Sequence, residues 1–268
     1  MKSFHRYLTT IILLVFFALP AAGEVQSKRF EAADSEGVIA SRDSTALYLQ
    51  VDANIKSPIK IPRLAAPLRS MIWQGSITDD GLSLKPEQDH WVINWKNKPA
   101  KNATLMIQFG DVPLLLDEVK PIKKSTDGSF YLPAHKAFTA GEKIRYEPQP
   151  HKNTVGYWTG KKDSATWTFD LKEPGQFNIA ILQGCGKGQG GSAAAIRFRH
   201  TSANVIDEML SYTVKETGHF QNFQWSHAGE IELSSPGVIE IMIGPGQIKK
   251  AALMDIRAIH LIRLPDKK

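Results

Sequence analysis

The chain has 268 residues and a single cysteine, Cys185. One thiol cannot make an intramolecular disulfide framework, so any core must hold by packing alone. A lone cysteine behaves as a small apolar side chain, and Cys185 is expected to be buried and inert. Long apolar runs are scarce too. The longest, from Ile11 to Leu19, falls well short of the roughly 20 residues that span a bilayer, and no later segment approaches that length. A membrane-spanning reading therefore fails. Lys2, His5 and Arg6 precede this run and Pro20-Ala21-Ala22-Gly23 closes it, the composition of a signal peptide over residues 1–23. The expectation is a mature chain beginning near Glu24, periplasmic or secreted. No cysteine stands just after the run, which argues against a lipoprotein.

Charge of one sign is never concentrated. The 33 Lys and Arg against 27 Asp and Glu leave a formal +6, but the cations are scattered singly or in pairs such as Lys123-Lys124 and Lys249-Lys250. Without a basic stripe or arm, nucleic acid is a poor partner, and the charge serves solubility or attraction to acidic polysaccharides. A hydrophobic share of 42% excludes wholesale disorder.

Catalytic signatures are also missing. The glycine-rich segment Gly184-Cys185-Gly186-Lys187-Gly188-Gln189-Gly190-Gly191-Ser192 lacks the G-x-x-x-x-G-K-[ST] order, and the strand pattern that follows offers no helix terminus for a phosphate. It reads either as a flexible connection or as a loop that admits a ligand close to the backbone. No G-x-S-x-G, H-E-x-x-H or C-x-x-C occurs, and the eight histidines are dispersed. Spacing singles out no carboxylate pair for glycoside hydrolysis. The chain is expected not to be an enzyme.

What is present is period-two alternation over short stretches, the mark of strands with one face buried. Leu47, Leu49 and Val51 alternate with polar neighbours, followed by Ile59 and Ile61, Val92 with Asn94, and Leu105, Ile107 and Phe109. Later come Trp167, Phe169 and Leu171, then Phe177, Ile179 and Ile181, then Ile239, Ile241 and Ile243. Glu173-Pro174-Gly175 and Ser234-Ser235-Pro236-Gly237 read as turns, and Gly244-Pro245-Gly246 as a strand stop. The pattern predicts an all-β chain of two tandem antiparallel β-sandwiches, at 30–118 and 150–265. Residues 119–149, rich in proline and lysine, read as a connector; the apolar Phe130, Leu132 and Phe138 allow them instead to supply the first strand of the second sandwich.

A sugar-binding surface asks for one or two exposed rings beside amide, hydroxyl or charged groups, because pyranose C–H faces stack on aromatic rings while polar neighbours fix orientation. Tyr157, Trp158, Gln183, Lys187, His219, Phe220 and Trp225 offer those ingredients within the second module. For any single ring the competing reading is core packing. Asp255 reads as an ion ligand or, as an isolated carboxylate, as an acceptor for backbone amides.

The run Val155-Gly156-Tyr157-Trp158, Trp167-Thr168-Phe169, Pro174-Gly175-Gln176-Phe177, Gln183 to Gly188, Thr217-Gly218-His219-Phe220 and Met254-Asp255-Ile256-Arg257 resembles the galactose-binding-like sandwiches of carbohydrate-binding-module type appended to bacterial secreted fucosidases and sulfatases. That resemblance implies a jelly roll presenting a glycan from its loops, fucosylated or sulfated, sometimes with a structural calcium, alongside a separate glycoside hydrolase or sulfatase. Ala46 to Val51 and Ile61-Pro62-Arg63-Leu64 make the first half similar to the sandwich that follows the barrel in family-29-type α-L-fucosidases. The catalytic barrel has no counterpart here, so no catalytic residue carries over. The expected function is an exported, non-catalytic carbohydrate-binding protein. A glycoside hydrolase or a fragment of one, and a structural or adhesive envelope protein, are the alternatives.

Overall fold

The alternation becomes strands throughout the computed structural model, which describes residues 37–77, 80–98, 102–202 and 208–265. The expected signal peptide lies outside the described residues. Seven strands come first: β1 (Val38–Arg42), β2 (Ala46–Val51), β3 (Ile59–Pro62), β4 (Leu68–Trp73), β5 (Ser83–Pro86), β6 (His90–Asn94) and β7 (Ala103–Phe109). They form a sheet in the order β1-β2-β7-β4 and a smaller one in the order β3-β6-β5, all pairs antiparallel. Leu47, Leu49, Ile59, Ile61, Leu105 and Ile107 are buried as expected. In β6 the buried parity is Trp91 and Ile93, with Val92 and Asn94 turned outward. The larger apolar pair of this strand takes the inner face.

The second half holds β8 (Phe130–Pro133), β9 (Phe138–Ala140), β10 (Arg145–Glu147), β11 (Thr154–Gly156), β12 (Ser164–Leu171), β13 (Gly175–Gly184), β14 (Ala193–His200), β15 (Glu208–Thr213), β16 (Gln224–Leu233), β17 (Gly237–Gln247) and β18 (Asp255–Arg263). One sheet runs β10-β11-β18-β13-β16, with β8 also paired to β18; the other runs β15-β14-β17-β12-β9. Antiparallel sheets carry one buried face each, so the two inner faces meet as a sandwich. Among the described residues there is no α-helix, and only two 3₁₀ turns interrupt the strands.

The stretch read as a connector supplies three of these strands, β8, β9 and β10. Phe130 stands in the core with its ring centroid 4.7 Å from that of Phe169 and 6.0 Å from that of Phe177. Its prolines mark strand ends and turns rather than an exposed tether. Likewise β17 runs through Gly244-Pro245-Gly246 instead of stopping there, with a register shift against β14. Its pairing with β12 ends at Ile243, so Pro245 lies where that side of the strand has no β12 neighbour to receive an N–H.

The two halves touch through the β8–β10 segment. Arg63, fully buried, donates from Nη2 to the carbonyl of Ala137 at 2.8 Å and lies over the Tyr146 ring. Burial pushes its guanidinium down to about 10. The Leu68 N–H donates to Pro148, and the Gln149 amide to Leu84. One cluster of buried apolar side chains extends through both halves.

A candidate carbohydrate pocket

Gly156 closes β11, and the next residue, Tyr157, has φ +62°, a left-handed conformation that a tyrosine rarely adopts. This one reversal separates two adjacent rings. Trp158 turns inward, fully buried, with Nε1–H donating to the Val155 carbonyl at 2.9 Å. Tyr157 turns outward, 41% exposed, with the Arg145 guanidinium 3.4 Å from its centroid on one face. The buried Asp163 holds the loop that follows: its carboxylate accepts the N–H groups of Thr159, Gly160 and Glu142. The strain at Tyr157 is thus supported by a fixed turn.

A pocket of about 210 Å³ opens beside Tyr157, with Phe220 and Gln221 on one wall and Glu147, Lys152 and Asp255 on another. Thr159 and Ala252 complete the lining. The two carboxylates converge across Gly156. A Cβ there would stand 2.9 Å from Asp255 Oδ1 and 3.0 Å from Glu147 Oε2, so the oxygens are no farther apart than those distances together. Lys152 Nζ sits 2.5 Å from Glu147 Oε1. Burial first, then the negative charge of Glu147, raises Asp255 well above the ordinary carboxylate range, while Lys152 opposes that shift. The wall thus sets the Lys152–Glu147 ion pair beside a carboxyl group that retains its proton more readily than usual.

No backbone amide among the described residues bonds Asp255, so its predicted role as an acceptor for such amides is not what the fold uses. Its alternative as an ion ligand does not suit the site either. Calcium wants six to eight oxygens, whereas here an ammonium already serves one of two carboxylates. Among the described residues no three His, Cys, Asp or Glu side chains gather to hold a metal. The groups at Asp255 therefore do not fit the structural calcium implied by the resemblance.

Of the seven residues expected at the sugar site, the pocket gathers Tyr157 and Phe220. Trp158 belongs to the core, for the reason given above. Gln183 is also fully buried, its amide donating to the Lys215 carbonyl at 2.7 Å; a side chain committed to the fold there cannot reach a ligand. Lys187 is exposed on the glycine loop but does not line the pocket. His219, also exposed, accepts the Gln221 N–H at Nδ1 and shapes the turn that presents Gln221. Trp225, 49% exposed, stands on the outer face of the β13–β16–β18 sheet rather than in the pocket. The sequence missed Glu147 because it lay in the supposed connector, and Lys152 because no motif marks it.

The glycine loop has a clear structural use. The Cys185 N–H donates to Thr217 Oγ1, the Gly188 N–H to Glu216, and Lys187 N–H to Gly218, so the 214–220 strap lies directly on the loop. A Cβ on Gly184 would lie 1.9 Å from the Phe220 carbonyl, and one on Gly186 would lie 2.7 Å from the Phe220 ring. These glycines let the strap, and with it Phe220, approach the pocket. Cys185 is buried as expected, its thiol pushed up to about 11 by burial and then by Glu216 and Asp255.

Neither a family model nor a curated protein matches this chain. Solved structures do. An α-L-fucosidase from Vibrio sp. strain EJY3 matches at 10% identity and a TM-score of 0.34, covering 83% of this chain and 39% of that one. A CBM35 from Cellvibrio japonicus Abf62 matches at 10% identity and 0.38, covering 50% and 92%. A family 35 carbohydrate binding module from Clostridium thermocellum matches at 11% identity and 0.37, covering 51% and 98%. The chain thus spans about two fifths of the fucosidase's length.

Proposed function

We propose that this chain is an exported, non-catalytic carbohydrate-binding protein whose pocket beside Tyr157 holds a single sugar unit or a chain end. The observation that carries the reading is the meeting of the Tyr157 ring and Phe220 with Lys152, Thr159, Gln221 and Asp255 in one recess. Rings accept the C–H face of a pyranose, and the polar groups supply donors and acceptors for its hydroxyls. Its volume lies below the roughly 300 Å³ at which drug-sized ligand sites begin, which suits one sugar rather than several. The wall favours a neutral sugar over a sulfated one, because Lys152, its one cation among the described residues, is already paired with Glu147. In a glycan-array screen, wild-type protein binds at least one neutral glycan and Tyr157→Ala loses that binding at unchanged melting temperature. Binding confined to sulfated glycans, or indifferent to Tyr157, would defeat the reading.

The carboxylate pair supports a second reading, a glycoside hydrolase. Two carboxyl groups flanking a bond are the common hydrolytic arrangement, with the one of raised affinity for protons acting as acid. Asp255 would be that acid and Glu147 the partner. Release of reducing sugar by purified protein, abolished in Asp255→Asn, would establish it; absence of release from the glycan that binds would exclude it.

A further inference from the structure

We propose that the outer face of the β8–β18–β13–β16 sheet is a second glycan-contact surface, which takes internal units of a polysaccharide. The inference rests on the carbohydrate-binding reading but uses none of the pocket residues. Three rings cross this face. Tyr131 on β8, 45% exposed, has its centroid 6.0 Å from the His260 ring on β18, and His260 lies 6.2 Å from Trp225 on β16. Residues directly opposite in antiparallel strands share a face. By that rule Ala180 pairs with His260 on one side and His227 on the other, while Leu182 pairs with Ala258 and Trp225. Half-buried Ala180 and Leu182 lie between these positions on β13, while Ala258 is fully buried beneath the face. The opposite face of the same strands, with Ile179, Ile181, Ile259 and Leu261, is the core.

The chemistry of the face favours a sugar chain over a protein partner. Its Tyr131 and Trp225 rings are separated by the His260 imidazole rather than fused into one apolar patch, and His227 and Glu230 interleave polar groups. Two separated ring platforms with hydrogen-bonding groups between them match the alternating C–H faces and hydroxyls along a glycan. The surface also continues toward the pocket. Arg257 stacks 3.8 Å from the Phe223 centroid and donates to the Lys152 carbonyl, and Lys152 lines the pocket. A chain whose end occupies the pocket has a route across Phe223 to Trp225 and Tyr131.

Trp225 supplies its own reporter. The other five tryptophans are buried, so an aqueous quencher reaches Trp225 alone. The test is affinity electrophoresis of the full mature chain through soluble xylan, galactomannan, dextran and mixed-linkage β-glucan, with acrylamide quenching in the same solutions. Retardation by at least one polysaccharide is expected, with Trp225 shielded from acrylamide. Trp225→Ala and Tyr131→Ala should each weaken it about tenfold or more, while Trp225→Phe retains most of it. Tyr157→Ala should leave Trp225 shielding intact, so a failed pocket and a failed face give different patterns. Wild-type retardation by none of the four, or retardation unmoved in the folded Trp225→Ala Tyr131→Ala variant, would overturn the proposal. Concentration-dependent dimerisation lost in that variant would assign the face to a second copy instead and also overturn it.

Discussion

Gly156 and Asp255 decide the character of the pocket between them. A side chain at 156 would have to enter the space between two carboxylates, so Gly156→Ala is expected to cost about 1–3 kcal/mol, read from denaturant melts. Asp255 makes stability depend on pH. Its folded-state proton affinity is raised above the ordinary value of 3.8, so the folded chain holds that proton more tightly than the unfolded one. Its contribution is most favourable below the unfolded value and is lost progressively as pH rises from there through the folded value. Asp255→Asn, which cannot ionise, should therefore melt higher than wild type at pH 8, with the advantage shrinking toward pH 4. An advantage that grew on acidification would contradict the burial argument. Trp158 and Tyr157 show why residue-scale reading stops where it does: two adjacent aromatics are indistinguishable in sequence, and a left-handed φ at one of them sends one to the core and the other to solvent.

Elements were legible where alternation was clean and obscured where the chain bends. Leu47 to Val51, Trp167 to Leu171, Phe177 to Ile181 and Ile239 to Ile243 are strands with the predicted inner faces. Strands β8 and β9 stood only as an alternative to a connector and β10 escaped, because three or four residues give too little periodicity and the prolines around them mimic linker composition. The glycine loop was legible as a loop but not as a seat for the 214–220 strap, since its partner lies about 30 residues away in sequence. That pairing makes a comparison possible. Gly184→Ala places a Cβ against the Phe220 carbonyl, so it should displace the strap, lower the melting temperature and weaken sugar binding together. Gly188→Ala meets no atom within 4 Å and carries only the strain of its left-handed φ, about 1 kcal/mol, with binding retained. Equal effects of the two substitutions on binding would detach the strap from the pocket.

Across the whole molecule, Arg63 links the first seven strands to the segment that also builds the pocket. Its Nη2 bond to Ala137 and its position over Tyr146 fill the junction. Among the described residues it pairs with no carboxylate. Arg63→Ala should therefore cost about 2–4 kcal/mol through the cavity left and the carbonyls stripped of a donor. Because one apolar cluster passes through both halves, wild-type protein should melt in a single transition and Arg63→Ala should broaden or split it, as scanning calorimetry would record. The division into two sandwiches was foreseeable from the two sets of alternating strands; their joint core was not, because nothing in the sequence of Arg63 marks it as buried. The account centres on sugar held at Tyr157 without chemistry. The measurement that tests this most directly is a glycan-array screen of wild type beside Tyr157→Ala, with reducing-sugar release assayed on every glycan bound. The account predicts binding to a neutral glycan, its loss in the folded variant and no release; release of sugar, or binding that ignores Tyr157, would contradict it.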